Sequence, residues 1–178
     1  MMNFNLIKIV VVLSLVFLAV SCTEPVKQKA KPKSFTKKEM INSNRKQVRV
    51  ELDQIRNYIK RRGWEMTETG TGLRYMIYEN GPKDGAFPKD LETVFVNYEV
   101  SLINGKGIYK SSPESPASFI VGHDEVESGL QEAIQFMKPG DKAMLIIPSH
   151  LAHGYSGDFN KIPKSSTVIF DIELLYVK

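Results

Sequence analysis

Apolar residues run along this chain in three rhythms. From Leu6 to Val20 the run is apolar except for Lys8 and Ser14. From Ile41 they recur at Ile41, Val48, Leu52, Ile55 and Ile59, an approximate 3–4 spacing that makes one stripe on a helix. After Leu73 the period becomes two. Leu73, Tyr75 and Ile77 alternate with polar positions, and Val94, Val96, Tyr98, Val100 and Leu102 do so over a longer span. Val168, Phe170, Ile172, Leu174 and Tyr176 repeat the pattern near the C terminus. Alternation over such runs predicts strands. The run from Ala143 to Ile147 is continuously apolar, as a fully buried strand would be.

Local signals punctuate these runs. Thr36-Lys37-Lys38-Glu39 is a capping box, with Thr36 at the N-cap and Glu39 reaching back from N3. Arg61 and Arg62 fall in a last turn and Gly63 suits a C-cap, so a basic helix is expected over residues 36–63. Its thin stripe would dock on the domain that follows or pair with a partner helix. Asn104-Gly105 predicts a hairpin into Gly107-Ile108-Tyr109. Leu130, Ala133, Ile134 and Met137 stand at i, i+3, i+4 and i+7, which predicts a helix of about three turns stopped by Pro139-Gly140. Trp64, the only tryptophan, is expected to pack the end of the first helix onto the domain. The whole reads as α+β over residues 64–178: an antiparallel sheet with one short helix covering a face.

Composition adds little until it is placed along the chain. At 178 residues and 42% hydrophobic, the chain suffices for one globular domain and an extension. One cysteine excludes a disulfide framework and a Cys-rich zinc site. The formal net charge of +4 conceals a division. Residues 23–62 hold 13 Lys/Arg against 4 Asp/Glu, whereas residues 63–178 hold 10 against 16. The N-terminal piece is strongly basic and the C-terminal one acidic.

The first run is too short to span a bilayer: its residues rise ~1.5 Å each against a core of ~30 Å. It ends in Ala19, Val20 and Ser21, which is the pattern of a secretory signal peptide. Leu18-Ala19-Val20-Ser21-Cys22 resembles a bacterial lipobox, in which the cysteine is lipidated and becomes the mature N terminus. The resemblance implies a lipoprotein signal over residues 1–22 with Cys22 as the anchor, and a protein tied to a bacterial membrane in the cell envelope, facing the periplasm. Residues 23–35, with Lys27, Lys29, Lys31 and Lys33, then form a basic flexible tether. Such a tether would attract an anionic surface, though lysine also simply keeps a linker soluble. Export leaves no nucleic-acid role for the arginines.

Familiar reaction chemistries fit poorly. His150 and His153 are three apart with no carboxylate or Cys at ligand spacing, so no metal centre is expected. Ser149, His150 and Asp158 lack a nucleophile-elbow pattern. Gly70-Thr71-Gly72 lacks the third glycine of a dinucleotide loop.

Seven segments in order carry a resemblance. They are Val96-Asn97-Tyr98; Asn104-Gly105-Lys106 leading to Tyr109-Lys110-Ser111-Ser112; Phe119-Ile120-Val121-Gly122; Glu125-Val126-Glu127-Ser128-Gly129-Leu130; Met137-Lys138-Pro139-Gly140-Asp141; Ile147-Pro148 to His153-Gly154; and Ile162-Pro163 to Phe170-Asp171-Ile172-Glu173-Leu174. Over about Leu73 to Lys178 the chain resembles the FKBP-type peptidyl-prolyl isomerases. The resemblance implies a curved antiparallel sheet wrapped around one short helix. It implies an apolar aromatic pocket that twists X-Pro amides in proline-containing polypeptide clients, without cofactor or metal.

Carried over by position, Tyr98 is the pocket-wall tyrosine, Tyr109 takes a place usually held by phenylalanine, and Phe170 is the phenylalanine of the last strand. Val126 and the backbone at Glu127 form the ligand-binding edge, Leu130 the floor, and Ile162 the loop over the pocket. His153 stands for a tyrosine that hydrogen-bonds the substrate carbonyl, Lys110 for an aspartate, and Ala117 for an aromatic residue. These three departures keep a second reading open, a binding or chaperone module with weak or no turnover. The lipobox, basic helix and domain, with the Tyr155-Ser156-Gly157-Asp158 loop region, are together similar to the lipoprotein isomerases associated with gliding motility. That likeness implies an envelope-complex partner reached through the N-terminal helix.

Overall fold

The computed structural model describes residues 36–178. The expected signal segment, Cys22 and the lysines of residues 23–35 lie outside them. Residues Lys37–Lys178 form one compact unit.

Helix α1 spans Lys37–Arg62. It ends in a Schellman arrangement: the Gly63 amide bonds the Lys60 carbonyl, the Trp64 amide bonds the Ile59 carbonyl, and Gly63 takes φ +65°. That left-handed turn needs glycine, and it directs Trp64 back onto the helix. The strands are β1 (Thr67–Glu68), β2 (Arg74–Glu79), β3 (Thr93–Leu102), β4 (Gly107–Lys110), β5 (Ala117–Ile120), β6 (Lys142–Ile147) and β7 (Val168–Val177). Helix α2 spans Ser128–Ile134, between β5 and β6. All pairings are antiparallel in the order β1-β2-β6-β7-β3-β4, with β5 also on β3.

The expected strands and the Asn104-Gly105 hairpin are present. Gly105 donates its amide to the Leu102 carbonyl, and Leu102 donates to Lys106. The continuous apolar run of β6 has a direct cause. Ala143, Leu145 and Ile147 face the main core with α2, whereas Met144 and Ile146 face a second cluster built by α1. A strand covered on both faces needs no polar alternate positions. In that second cluster Ile55 and Tyr58 of α1 and Trp64 meet Ile146 and Ile169, which are paired across β6 and β7. Trp64 stands edge-on to Tyr58, with ring centroids 5.6 Å apart. Burial of each such side chain contributes about 1.5–3 kcal/mol.

Two sequence expectations need adjustment. The α1 stripe divides: Ile55 is buried and Leu52 and Ile59 are half-buried, but Ile41 and Val48 are exposed. A helix of 26 residues is ~39 Å long, and a six-residue strand offers ~20 Å of surface, so only the C-terminal turns reach the sheet. Helix α2 is shorter than three turns. After Ile134 the chain tightens into i→i−3 bonds, Phe136 to Ala133 and Met137 to Ile134. The tightened turns still deliver Met137, fully buried, to the core.

The Pro139-Gly140-Asp141 turn is fixed by a buried carboxyl. Asp141 accepts the amides of Gly81 and Lys138, each at 2.7 Å, joining the start of β6 to the loop after β2.

Candidate functional site

Alternation on β3 puts Val96, Tyr98 and Val100 on one face of the sheet. Register brings their neighbours beside them. Phe170 of β7 and Tyr109 of β4 both pair with Val100, and Ala117 of β5 pairs with Val96. The rings of Tyr98 and Phe170 lie 5.9 Å apart at 52°. Phe119 follows on β5, Leu130 rises from α2, and Val126 and Glu127 form the edge just before that helix. These side chains enclose a cavity of about 160 Å³. It therefore has three aromatic residues in its sheet wall besides Phe119, and an aliphatic floor.

Six of the eight residues expected at the pocket line this cavity: Tyr98, Tyr109, Val126, Glu127, Leu130 and Phe170. His153 and Ile162 stand outside the wall. Both lie on the long connection between β6 and β7. Ile162 is buried in the main core. His153 is half-buried, with Nε2 3.1 Å from Glu127 Oε1. Val96, Val100, Ser118 and Phe119 also line the cavity and were not singled out as pocket residues from sequence. The β3 alternation already placed Val96 and Val100 on the Tyr98 face. β5, at four residues, is too short for its period to show.

Lys110 does not place its charge in the cavity. It follows Tyr109 on β4, so it points to the opposite face, and its Nζ lies 3.1 Å from Glu99 Oε2 among exposed side chains. Ala117 lines the cavity in place of a larger group.

Asp158 is the acceptor that organises the long connection. Its Oδ1 accepts the amides of Asn160 at 2.9 Å and Ile162 at 2.7 Å, and its Oδ2 accepts the Tyr109 hydroxyl. Desolvation opposes the ionised carboxyl, but the bonds from Tyr109, Asn160 and Ile162 and the nearby His153 outweigh it and hold the group at about 2. The same bond raises the Tyr109 phenol. Lys161 Nζ sits 4.7 Å from the Tyr109 ring centre and bonds the Ile108 carbonyl. Sequence marked this region as a loop. Nothing in its spacing tied Asp158 to Tyr109, 49 residues away.

Among the described residues, the backbone amide of Glu127 and the hydroxyls of Tyr98 and Ser118 are donors on cavity residues without a hydrogen-bond partner. Fold and cavity together define a small α+β binding domain, with an aromatic slot on one side of its sheet and donors at the edge. A family model described as FKBP-type peptidyl-prolyl cis-trans isomerase matches residues 85–175, and the chain belongs to that family.

It is 43% identical over 111 residues to the FKBP-type peptidyl-prolyl cis-trans isomerase FkpA of Escherichia coli strain K12, covering 62% of this chain and 39% of that protein. It is 37% identical over 134 residues to a probable FKBP-type peptidyl-prolyl cis-trans isomerase of Haemophilus influenzae, covering 74% and 53%. The crystal structure of a peptidyl-prolyl cis-trans isomerase from Pseudomonas syringae pv. tomato superposes with a TM-score of 0.61 at 29% identity, covering 73% of this chain and 95% of that one. The match thus spans between 39% and 53% of the length of these two relatives.

Proposed function

We propose that this protein is a lipid-anchored peptidyl-prolyl cis-trans isomerase that assists the folding of exported proteins in the cell envelope. The observation that carries the activity is the cavity of about 160 Å³ walled by Tyr98, Tyr109 and Phe170, with Leu130 beneath. Rotation about a peptide bond must break amide resonance, a barrier of about 18–20 kcal/mol. X-Pro bonds populate both isomers and exchange in tens to hundreds of seconds, so a catalyst has only to favour the twisted form. A twisted amide has less charge separation than a planar one. An apolar aromatic slot therefore costs it less than it costs either ground state.

The proline ring enters the slot against Phe170 and Tyr98. The Glu127 amide takes a client carbonyl and fixes its direction, and the Tyr98 hydroxyl is a further available donor. The clients are proline-containing polypeptides of the envelope. The exposed half of α1 offers a surface for an envelope-complex partner. Lipidation at Cys22 holds the domain near its clients.

A proline-limited refolding reaction with the soluble chain tests the activity. Acceleration at micromolar protein is expected, and none from a correctly folded sample refutes it. Incorporation of labelled fatty acid, abolished by Cys22→Ser, tests the anchor. The engagement of His153 with Glu127 favours one alternative, a module that binds proline-containing segments without turnover. Peptide binding with no rate effect, and turnover appearing in His153→Tyr, would identify it.

A further inference from the structure

Glu51 is a carboxyl buried at the sheet face of α1, far in sequence from every group it touches. Its Oε1 accepts the Ser149 amide at 2.7 Å and the Thr167 hydroxyl at 2.7 Å; its Oε2 accepts the Ser149 hydroxyl at 2.9 Å. All three residues are buried, with 9% of Glu51, 9% of Ser149 and 4% of Thr167 exposed. A carboxyl is costly to bury, and a hydrophobic residue would serve helix packing better. Its placement therefore calls for a reason beyond docking the helix.

The reason lies in where the donors stand. Ser149 opens the long connection between β6 and β7, and Thr167 closes it. Within that connection lie His153, against Glu127 at the cavity edge, and Asp158, against Tyr109 of the cavity wall. The Ser149 carbonyl accepts the amides of Ala152 and Gly154 and so sets the backbone on both sides of His153. The Gly154 carbonyl in turn accepts the Ser165 amide, which brings the two stems together. One carboxyl from outside the sheet thus grips both stems of the segment that touches two cavity residues.

We propose that Glu51 is a positioning residue for the isomerase site: it clamps the stems of the β6–β7 connection and so fixes where His153 and Asp158 meet the cavity. This rests on the isomerase reading above. It makes α1 a working part of the site rather than a spacer between tether and domain.

The test uses the full chain in four variants. Glu51→Ala removes all three bonds. Glu51→Gln keeps them, because its oxygen accepts from Ser149 N–H and Thr167 while its amide donates to the Ser149 oxygen. Thr167→Val removes one bond from the loop side and leaves α1 untouched. Ile55→Ala weakens the helix–sheet contact without touching the clamp. Fluorescence of Trp64 reports whether α1 stays docked. Hydrogen exchange over residues 152–166 reports the order of the connection, whether or not the protein turns over substrate.

Glu51→Ala should lower kcat/KM ~10-fold and speed exchange in 152–166 by a similar factor, with Glu51→Gln within about 2-fold of the parent. Thr167→Val should move both readouts the same way by a smaller factor. Ile55→Ala should lower the unfolding midpoint yet leave kcat/KM within about 2-fold where the protein is folded. Unchanged exchange and unchanged kcat/KM in both Glu51→Ala and Thr167→Val overturn the clamp. So does an equal loss in Ile55→Ala, which would mean that helix docking alone matters. If the parent lacks isomerase activity, the isomerase reading fails, and the exchange data still decide for or against the clamp.

Discussion

Tyr109 donates its hydroxyl to Asp158, so a side chain in the cavity wall holds a carboxyl in the connection between β6 and β7. The two residues belong to elements that share no strand pairing. Their bond, with the Asn160 and Ile162 amides, makes the position of that connection depend on an ionised Asp158.

Acid should therefore loosen this end of the site. The Asp158 carboxyl is held at about 2 in the folded protein, below its unfolded value of about 3.9. A depressed folded value means stability that is fully present above pH ~4 and is lost as pH falls through ~2. Asp158→Asn should be less stable than the parent at pH 7, and the gap should narrow steadily between pH 4 and pH 2. Urea unfolding of both proteins across that range checks it. A gap independent of pH would show that the carboxyl's charge is irrelevant.

Removing only the Tyr109 hydroxyl separates wall from tether. Tyr109→Phe keeps an aromatic face on the cavity but leaves Asp158 with its two backbone donors alone. We expect kcat/KM to fall about 3-fold, mostly through kcat, because the ring still packs against the client. Hydrogen exchange near Asp158 should rise. A larger effect on KM than on kcat would place the hydroxyl in client binding instead.

The aromatic wall itself is tested at Phe170. Phe170→Leu keeps an apolar side chain of nearly similar volume next to Tyr98 and opens part of the slot. The stability cost should be about 1–1.5 kcal/mol, because the core tolerates such exchanges with repacking. The catalytic cost should be larger in proportion, ~10-fold in kcat/KM, since the flat face that receives the twisted amide is lost. Denaturation and refolding assays on one preparation give both numbers.

These predictions mix residues that were legible in the sequence with others that were not. Tyr98, Phe170 and the β3 and β7 strands were legible because a period of two assigns a face without any tertiary knowledge. The β6 run was legible as buried, but only the docking of α1 explains why both its faces are covered. Glu51 and Asp158 were not legible in these roles. Each reaches across 49 to 116 residues to a distant partner, and a single polar residue leaves no periodic trace of such a contact. The α1 stripe misled in the other direction. It is continuous in sequence, whereas the sheet beneath it is too short to cover Ile41 and Val48. The pocket edge lay between these extremes. Val126 and Glu127 came from ordered resemblance, and the unpartnered Glu127 amide came only from the coordinates.

Asp141 gives a prediction confined to stability. It is buried, and the amides of Gly81 and Lys138 point at its two oxygens. Gly81 has no slack to seek another partner: a Cβ there would lie 2.1 Å from the Pro139 carbonyl oxygen. Asp141→Ala leaves two part-buried donors unmet, each costing about 1–3 kcal/mol at most. Urea unfolding should show a loss of about 2–4 kcal/mol. kcat/KM of the folded fraction should stay near the parent, because the hydrogen-bond partners of this turn, Gly81, Lys138 and Leu174, do not line the cavity.

Gly129 sets two effects of opposite sign against each other. It sits inside α2, where replacing glycine by alanine ordinarily stabilises by about 1 kcal/mol through helix propensity. Here an added Cβ would meet Ile147 Cγ2 at 2.4 Å and Leu151 Cβ at 3.2 Å. Ile147, the last residue of β6, is fully buried in the main core beside α2. Relieving the clash must push α2 outward, at a cost of typically 1–3 kcal/mol, which exceeds the propensity gain. Gly129→Ala should therefore be less stable than the parent by about 1–2 kcal/mol. The displaced helix carries Leu130, the cavity floor, and starts beside Glu127, the cavity edge. KM for a proline peptide should rise several-fold while kcat changes less. A stabilised Gly129→Ala with parental KM would mean that α2 has more freedom against β6 than the contact at Ile147 allows.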